Sequence, residues 1–351
     1  MAVHRHPAVG WLAVAFGIAA TAVTLAAQAH APASTASSAP RKWVPARTPD
    51  GHPDFEGVWA NNTVTPLQRP KQWEDKKLLT DAEVVELQQF AAQIFDNDGD
   101  AQFGDSFILA VLNQIEKPKS YDPGTGNYNQ FWLVGRDWHD RRTSLITDPP
   151  DGKLPPMTAE GAQRRAAEIE HRKVHAFEDP EVFPPGERCV NFGIPRLQAG
   201  YNSYTQIVQS PGYVTIMAEM AHDARIIPLD GRPHLPKHLR TWNGDSRGRW
   251  EGDTLVIETT NFSPKSDFMG SHENLRLTER LTRAGPDILD YEFTVDDPTT
   301  WTAPWTAMIP LKLKKELIYE YACHEGNAAI PNMLRGHRFE EREAAGKSRS
   351  K

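Results

Sequence analysis

The sequence is poor in cysteine and has no excess of basic residues. Only two cysteines occur among 351 residues, and 39 Lys and Arg stand against 46 Asp and Glu, for a net charge of −7. A mildly acidic chain of mixed charge lacks the basic surface that nucleic acids and anionic membranes attract. The composition therefore excludes nucleic acid and an anionic membrane surface from the expected partners.

Metal-ligand spacings are also missing. The ionisable residues that come nearest to a ligand set are His222, Asp223, His324 and Glu325. No pair of them shows the H-x-H or H-x-x-x-H spacing that would bring two ligands together. The acidic run at 96–100 resembles the start of a calcium loop, but Phe107 stands where such a loop needs a glutamate. We predict no metal and no other cofactor.

The longest hydrophobic run lies near the start of the chain. Residues 8–27 are almost entirely small or apolar, and residues 27–29 (AQA) have the small-x-small pattern of a signal cleavage site. We therefore expect residues 1–29 to be a secretory signal peptide that is removed after Ala29. A retained membrane anchor is the alternative, because the run approaches the roughly 20 residues that span a bilayer. Without a twin arginine, we expect the general secretory route, a periplasmic or secreted protein, and no stable membrane insertion.

The cysteines are Cys189 and Cys323, both in the part of the chain that we expect to be exported. In an oxidising compartment an even pair is most simply a disulfide. A catalytic thiol is the alternative, although a free reactive cysteine would be exposed to oxidation there. We predict a disulfide between the two.

Short β-prone runs dominate the chain. We predict strands at 129–135, 142–147, 204–208, 213–220, 224–228, 247–251, 254–261, 274–283, 288–295, 304–313 and 317–323. Polar and apolar residues alternate in several of them, and residues 251–253 and 284–287 have the turn chemistry of hairpins. Gly57 and Trp59 form the Gly-x-Trp pair that is typical of the first strand of a lipocalin-like barrel.

These patterns predict a mainly β fold, with an antiparallel, strongly curved sheet or a lipocalin-like barrel and a few peripheral helices. We expect one domain over residues 43–336, with helical insertions at about 80–96 and 159–176. The Pro-, Ser- and Thr-containing residues 30–42 are predicted to be a flexible linker. Residues 337–351 are predicted to be a charged, frayed tail.

Three motifs carry a resemblance that covers most of the chain, from about Asp54 to Gly336. They are GRPHLPKHLRTWNGDSRGRWEGDTLVIETTNF, DDPTTWTAPWT and YACHEGN. They resemble a large family of exported bacterial proteins that has no settled activity. The resemblance implies export and a lipocalin-like (calycin-like) β-rich fold, and it implies no particular reaction.

Ionisable residues concentrate between the β-prone runs of residues 201–262. The candidate catalytic residues are His222, Asp223, Arg225, Asp245 and Arg247. In an acid–base site His222 would move a proton, Asp223 would orient the imidazole, and Arg225 would stabilise negative charge. The alternative is a salt bridge within a loop, from Asp223 to Arg225 or Arg247. Residues 244–248 match G-x-S-x-G, but neither a buried parallel strand nor a helix flanks them, so we predict no serine nucleophile.

Tryptophans form a second functional signal. Those expected to wall a pocket are Trp242, Trp250, Trp301 and Trp305. Indole rings suit a small, partly apolar or aromatic ligand, although core packing would use the same residues. We predict a protein that binds such a molecule and, if the ionisable residues converge on it, performs acid–base chemistry of the lyase, isomerase or hydrolase type. The alternatives are a non-catalytic periplasmic binding protein and an envelope scaffold without a ligand site.

Overall fold

Ten β-strands form one antiparallel sheet in the computed structural model, which describes residues 43–94, 102, 104–115, 135–197 and 200–349. They are β1 (Gly57–Ala60), β2 (Ile146–Asp148), β3 (Tyr204–Ser210), β4 (Tyr213–Ala218), β5 (Ala224–Pro228), β6 (Asp245–Glu251), β7 (Thr254–Thr260), β8 (Arg276–Arg283), β9 (Ile288–Asp296) and β10 (Trp305–Lys314). Their order is β5-β4-β3-β1-β10-β9-β8-β7-β6, and β2 pairs with the first part of β10. The predicted mainly β, antiparallel fold is confirmed.

The sheet curves until its outer strands, β5 and β6, lie side by side without a hydrogen-bonded ladder between these two described strands. The result is a nearly closed barrel, and we call the gap between β5 and β6 the seam. Gly248 of β6 permits a close approach there, because a Cβ at this position would lie 2.6 Å from Leu229 Cδ2 and 2.9 Å from Ile227 Cγ2. Side-chain packing therefore joins this part of the seam.

The first strand lies where the Gly-x-Trp pair predicts it. β1 pairs with β3 on one side and with β10 on the other. Trp59 is fully buried, and its indole N–H donates to the carbonyl oxygen of Phe55 at 2.8 Å. Gly57 has φ +132°, and a Cβ there would lie 2.9 Å from Leu313 Cδ1. Both conditions favour glycine at position 57.

The described helices are α1 (Asp81–Ile94), α2 (Asp105–Leu112), α3 (Ala159–Val174) and α4 (Ala329–Arg349). α1 and α3 match the two predicted helical insertions. A capping box begins α1: the Thr80 hydroxyl accepts from the Glu83 N–H at 3.3 Å, and the Glu83 carboxylate accepts from the Thr80 N–H at 2.9 Å. α1 and α2 share a small apolar cluster apart from the barrel core. Within the described ranges, no helix is both long and apolar enough to cross a bilayer.

The segment after β10 differs from its prediction. Residues 317–323 form no strand. The disulfide between Cys189 and Cys323, with Cα atoms 5.7 Å apart, instead ties this segment to the chain that follows α3. The predicted pairing of the cysteines is confirmed.

Other boundaries also shift. α4 continues through the region that we expected to be a frayed tail, and Glu341 pairs there with His337 and Arg338 at 3.3 and 3.2 Å, a spacing that a helix provides. α2 was not predicted, because eight residues are too few to show a clear helical period. Of the strand predicted at 142–147, only its end belongs to β2. The strand predicted at 129–135 falls almost entirely outside the described residues, as do the predicted signal peptide and linker.

Candidate functional site

A cavity of about 70 Å³ lies inside the barrel. Apolar side chains form much of its wall: Ile194, Ile207, Ile216, Ala218, Leu281 and Leu311. Polar side chains form the rest, principally Arg196, Ser203, Asp223, Arg225, Asn243 and Tyr291. We call this space the interior cavity. Its mixed wall contrasts with the apolar packing around Trp305 elsewhere in the barrel.

A buried ion pair crosses the barrel interior beside this cavity. Arg225 of β5 donates to both carboxylate oxygens of Glu279 of β8, at 2.7 and 2.8 Å, and the Glu279 side chain is fully buried. The phenol of Tyr291 donates to the same carboxylate at 2.7 Å. This set of hydrogen bonds offsets the cost of removing two charges from water.

Burial and the ion pair fix the protonation of these groups. Burial disfavours the charged form of Arg225, but the carboxylate of Glu279 outweighs it, and the pKa of Arg225 is raised. Burial, followed by the charge of Glu279, raises the pKa of Tyr291 well above its ordinary value. At neutral pH the guanidinium is therefore charged and the phenol neutral.

A second ion pair holds Asp223. Arg196 donates to its carboxylate at 3.0 Å, and the side-chain amide of Asn191 donates to the same oxygen at 3.0 Å. Burial lowers the pKa of Arg196, and the charge of Asp223 opposes that shift. The alternative of a salt bridge at Asp223 is thus correct in kind, but its partner is Arg196 rather than Arg225 or Arg247.

The predicted acid–base arrangement around His222 does not form. The His222 side chain is exposed, and its Nε2 accepts from the backbone N–H of Tyr321 at 2.8 Å. Ala221 and His222 both have positive φ, 62° and 51°, so the chain turns sharply just before β5. This turn leaves His222 beside the segment after β10 and outside the wall of the interior cavity.

Asp245 and Arg247 form a separate group at the start of β6. Arg247 donates to Asp245 at 2.6 Å, and the backbone N–H of Leu235 donates to it at 2.9 Å. His234 Nδ1 lies 2.8 Å from Asp245 Oδ2, the oxygen that also accepts from Leu235, whereas Arg247 donates to Oδ1. The Asp245 side chain is buried. Asp245 therefore holds the loop before β6 in place. We expected it to lie close to His222, and it does not.

A pocket of about 380 Å³ opens at this end of the seam. Both Asp245 and Arg247 line this seam pocket. Asp223, Arg225 and Asn243 line both the seam pocket and the interior cavity. Because they share these residues, the seam pocket and the interior cavity are neighbours at the seam, where the described strands β5 and β6 are not joined by a ladder of hydrogen bonds.

The four candidate tryptophans do not gather around one pocket. Trp301 and Trp305 are buried in the core, with ring centroids 6.1 Å apart at a 79° angle. Trp250 stacks on His52, with centroids 4.5 Å apart. Only Trp242 lines the seam pocket, and it also faces an outer cleft of about 830 Å³ between α3 and the loops at 181–193 and 264–272. Ordinary packing accounts for the other three, because Trp301 and Trp305 belong to the core and Trp250 packs against His52 and Phe55.

Two residues of the site that we did not predict, Glu279 and Tyr291, could have been found from the sequence. Leu277, Glu279 and Leu281 alternate with more exposed residues in β8, and Tyr291 holds the same inward phase as Phe293 in β9. An ionisable side chain at an inward position of an alternating strand indicates a buried polar site. Arg196, Ser203 and Asn243 lie outside the strands, and no comparable periodic signal marks them.

Two comparisons with known proteins found no match. No family model matches the chain, and no curated protein matches it. The resemblance to exported lipocalin-like proteins therefore remains a prediction that rests on the three sequence motifs alone. The structure places the centre of the longest motif, GDSRGRWEGDTLV, on the β6–β7 hairpin at one side of the seam.

Proposed function

We propose that the protein binds a small, neutral, largely apolar molecule inside its barrel without transforming it. The observation that carries this proposal is the interior cavity, whose apolar wall faces the charged groups Arg196, Asp223 and Arg225, each of which already has an ionic partner. Apolar walls with a few convergent polar groups are typical of small-molecule sites. The cavity volume of about 70 Å³ suits a compact molecule of only a few heavy atoms.

Charge balance supports a neutral ligand. Asp223 compensates Arg196, and Glu279 compensates Arg225, each at a nitrogen–oxygen distance of 3.0 Å or less. A charged ligand would lose its hydration on entering the cavity, and neither ion pair has a free counter-ion to offer it. The cost would be several kcal/mol. A neutral molecule meets no such penalty.

The positions and protonation of the ionisable groups favour binding over acid–base catalysis. The exposed His222 is bonded to a backbone amide away from the interior cavity. Within the cavity wall, the raised pKa values keep Arg225 charged and Tyr291 protonated near neutral pH. Groups whose pKa lies far from the working pH exchange protons poorly. The non-catalytic binding protein is therefore the better-supported of the two readings of the sequence.

The seam offers the route to the interior cavity. The seam pocket shares three lining residues with the interior cavity, and it shares Asn191 and Trp242 with the outer cleft. In this proposal a ligand passes from the outer cleft through the seam pocket. Passage between the described strands β5 and β6 separates no ladder hydrogen bonds, in contrast to passage between two paired strands.

The proposal includes export. The apolar run and cleavage pattern at the start of the sequence support it, and the disulfide between Cys189 and Cys323 is consistent with an oxidising compartment. The expected location is the periplasm or the medium.

The test is an NMR-detected titration with furan, a neutral ring of five heavy atoms, and with its charged derivative 2-furoate. We expect millimolar furan to shift the amide signals of residues that line the interior cavity, and 2-furoate to leave them unchanged. Ala218→Leu should abolish the furan shifts, because the added methyl groups fill the cavity. Ala162→Leu on the exposed face of α3 is the matched control and should retain them. If no neutral probe binds, the scaffold alternative replaces this proposal; tighter binding of 2-furoate would refute the neutral ligand.

A further inference from the structure

Two buried polar atoms in the wall of the interior cavity, Ser203 Oγ and Asn243 Oδ1, have no hydrogen-bond partner among the residues that the structure describes. Ser203 is only 9% exposed. A buried polar atom without a partner costs about 1–3 kcal/mol. These two atoms are therefore the part of the wall that gains most from an incoming polar group.

Both atoms lie where strands begin. Ser203 directly precedes β3, and Asn243 lies just before β6. β3 and β5 begin at the same end of the barrel, because both run antiparallel to β4. Asn243 meets the start of β5 across the seam, since it lines the seam pocket together with Asp223 and Ala224. The two unpartnered atoms therefore belong to the end of the barrel at which the seam pocket opens.

The charged neighbours do not satisfy these atoms. Arg225 is bonded to Glu279, and Arg196 to Asp223. Ile207, Ile216, Leu281 and Leu311 form the aliphatic part of the remaining wall. Its other polar side chains are Asn61, Asn202, Tyr204, Thr205 and Tyr291. To a ligand this wall offers an aliphatic surface beside the amide oxygen of Asn243 and the hydroxyl of Ser203.

We infer that Ser203 and Asn243 select, within the proposed function, a neutral molecule that carries a hydrogen-bond donor on an apolar body, such as an alcohol, a phenol or a ring N–H. The side-chain oxygen of Asn243 can only accept, so its partner must donate. The hydroxyl of Ser203 can donate or accept and is compatible with the same ligand. Ordered water would also satisfy both atoms, and in that case the cavity would show no preference between donor and non-donor ligands.

The experiment compares pyrrole with furan, two planar five-membered rings of nearly equal size of which only pyrrole has an N–H donor. Dissociation constants come from NMR titration of the native protein. We expect pyrrole to bind about tenfold more tightly, the ratio that a single unmade hydrogen bond produces. Pyrrole is the more water-soluble ring, so burial of apolar surface does not explain such a preference.

Variants assign the preference to its residues. Asn243→Leu should bring the ratio of the two dissociation constants to about one, since the acceptor is lost while the number and branching of the side-chain heavy atoms are kept. Asn274→Leu makes the same chemical change at an exposed position and should leave the ratio as in the native protein. Ser203→Ala should lower the preference for pyrrole by less than Asn243→Leu does, because pyrrole has a single N–H and the hydroxyl of Ser203 is only the second of the two acceptors.

The native ratio decides the inference even if a variant fails to fold. Equal affinities for pyrrole and furan would overturn donor recognition and leave the proposed function intact. A preference for pyrrole that survives in Asn243→Leu would overturn the role of Asn243. If neither ring binds in the interior cavity, both the inference and the proposed function are refuted.

Discussion

Two regions inside the same barrel use their inward positions differently. Around Trp305, inward side chains such as Ile257 of β7, Phe293 of β9 and Ala307 of β10 are apolar and fully buried. Toward β3, β4 and β5, the inward positions instead surround the interior cavity and include Arg225. The same alternation of inward and outward side chains along the strands thus produces a packed core in one region of the barrel and a polar cavity in the other. The comparison shows that strand periodicity sets which residues face inward, whereas their chemistry decides whether the interior is filled.

The largest expected effect breaks the polar side of this comparison. Glu279→Leu should lower the free energy of unfolding by about 3–5 kcal/mol, because it leaves the Arg225 guanidinium buried without an anion. Adding Arg225→Met should recover most of that loss, since an apolar pair of similar volume needs no counter-charge. Urea denaturation measures both. A double variant as unstable as the single one would show that Arg225 is not the cause.

Matched isoleucine truncations sharpen the contrast between the two regions. Ile257→Ala in the packed core should cost about 3–4 kcal/mol, because it opens a new void among fully buried neighbours. Ile216→Ala in the wall of the interior cavity should cost about 2 kcal/mol less, since the side chain already borders empty space. The two free energies of unfolding come from the same urea titration. Equal losses would contradict the picture of a filled and an unfilled region.

Alkaline pH should weaken the polar region through Tyr291. The raised pKa of Tyr291 means that the unfolded chain loses this proton near pH 10, while the folded protein keeps it until a higher pH. The contribution is therefore complete below about pH 10, and above it stability should fall by about 1.4 kcal/mol per pH unit. Tyr291→Phe should remove this part of the slope. The measurement is the free energy of unfolding of both proteins from pH 9 to pH 12, and identical slopes would count against the prediction.

The smallest expected effect concerns the rim of the barrel. His222→Ala should change the free energy of unfolding by about 0.5 kcal/mol or less, because the side chain is exposed. Binding of furan should be unchanged. Thermal denaturation and the NMR titration report the two quantities. A loss of furan binding beyond about tenfold, the effect of a 1.4 kcal/mol contact, would return His222 to the binding site.

Much of the sheet follows from local sequence signals. The hairpin joining β6 to β7 carries Gly252 with φ +61° between its strands, and the capping box at Thr80 begins α1 where it was expected. The Gly-x-Trp pair likewise identifies β1. Each of these signals depends on residues that are only a few positions apart, so the sequence displays it directly.

The candidate site was less predictable, because charge density in a loop does not say which side of the barrel the side chains reach. Asp223 and Arg225 do line the interior cavity, but His222 between the same strands does not. Backbone turns with positive φ at positions 221 and 222 decide that difference. The adjacent residues His222 and Asp223 thus face different parts of the molecule, the segment after β10 and the interior cavity.

The sequence by itself determined the strand periodicity, the hairpin turns, the helix caps and the presence of two cysteines, all of which depend on residue type and short-range spacing. Only the tertiary structure decided which inward residues meet. Arg225 and Glu279 are 54 positions apart and belong to β5 and β8, which are not neighbours in the sheet. Their contact exists because the sheet curves until β5 and β6 lie side by side and residues on opposite walls face each other. That closure also creates the interior cavity, since its wall combines residues from loops and strands that no local pattern relates.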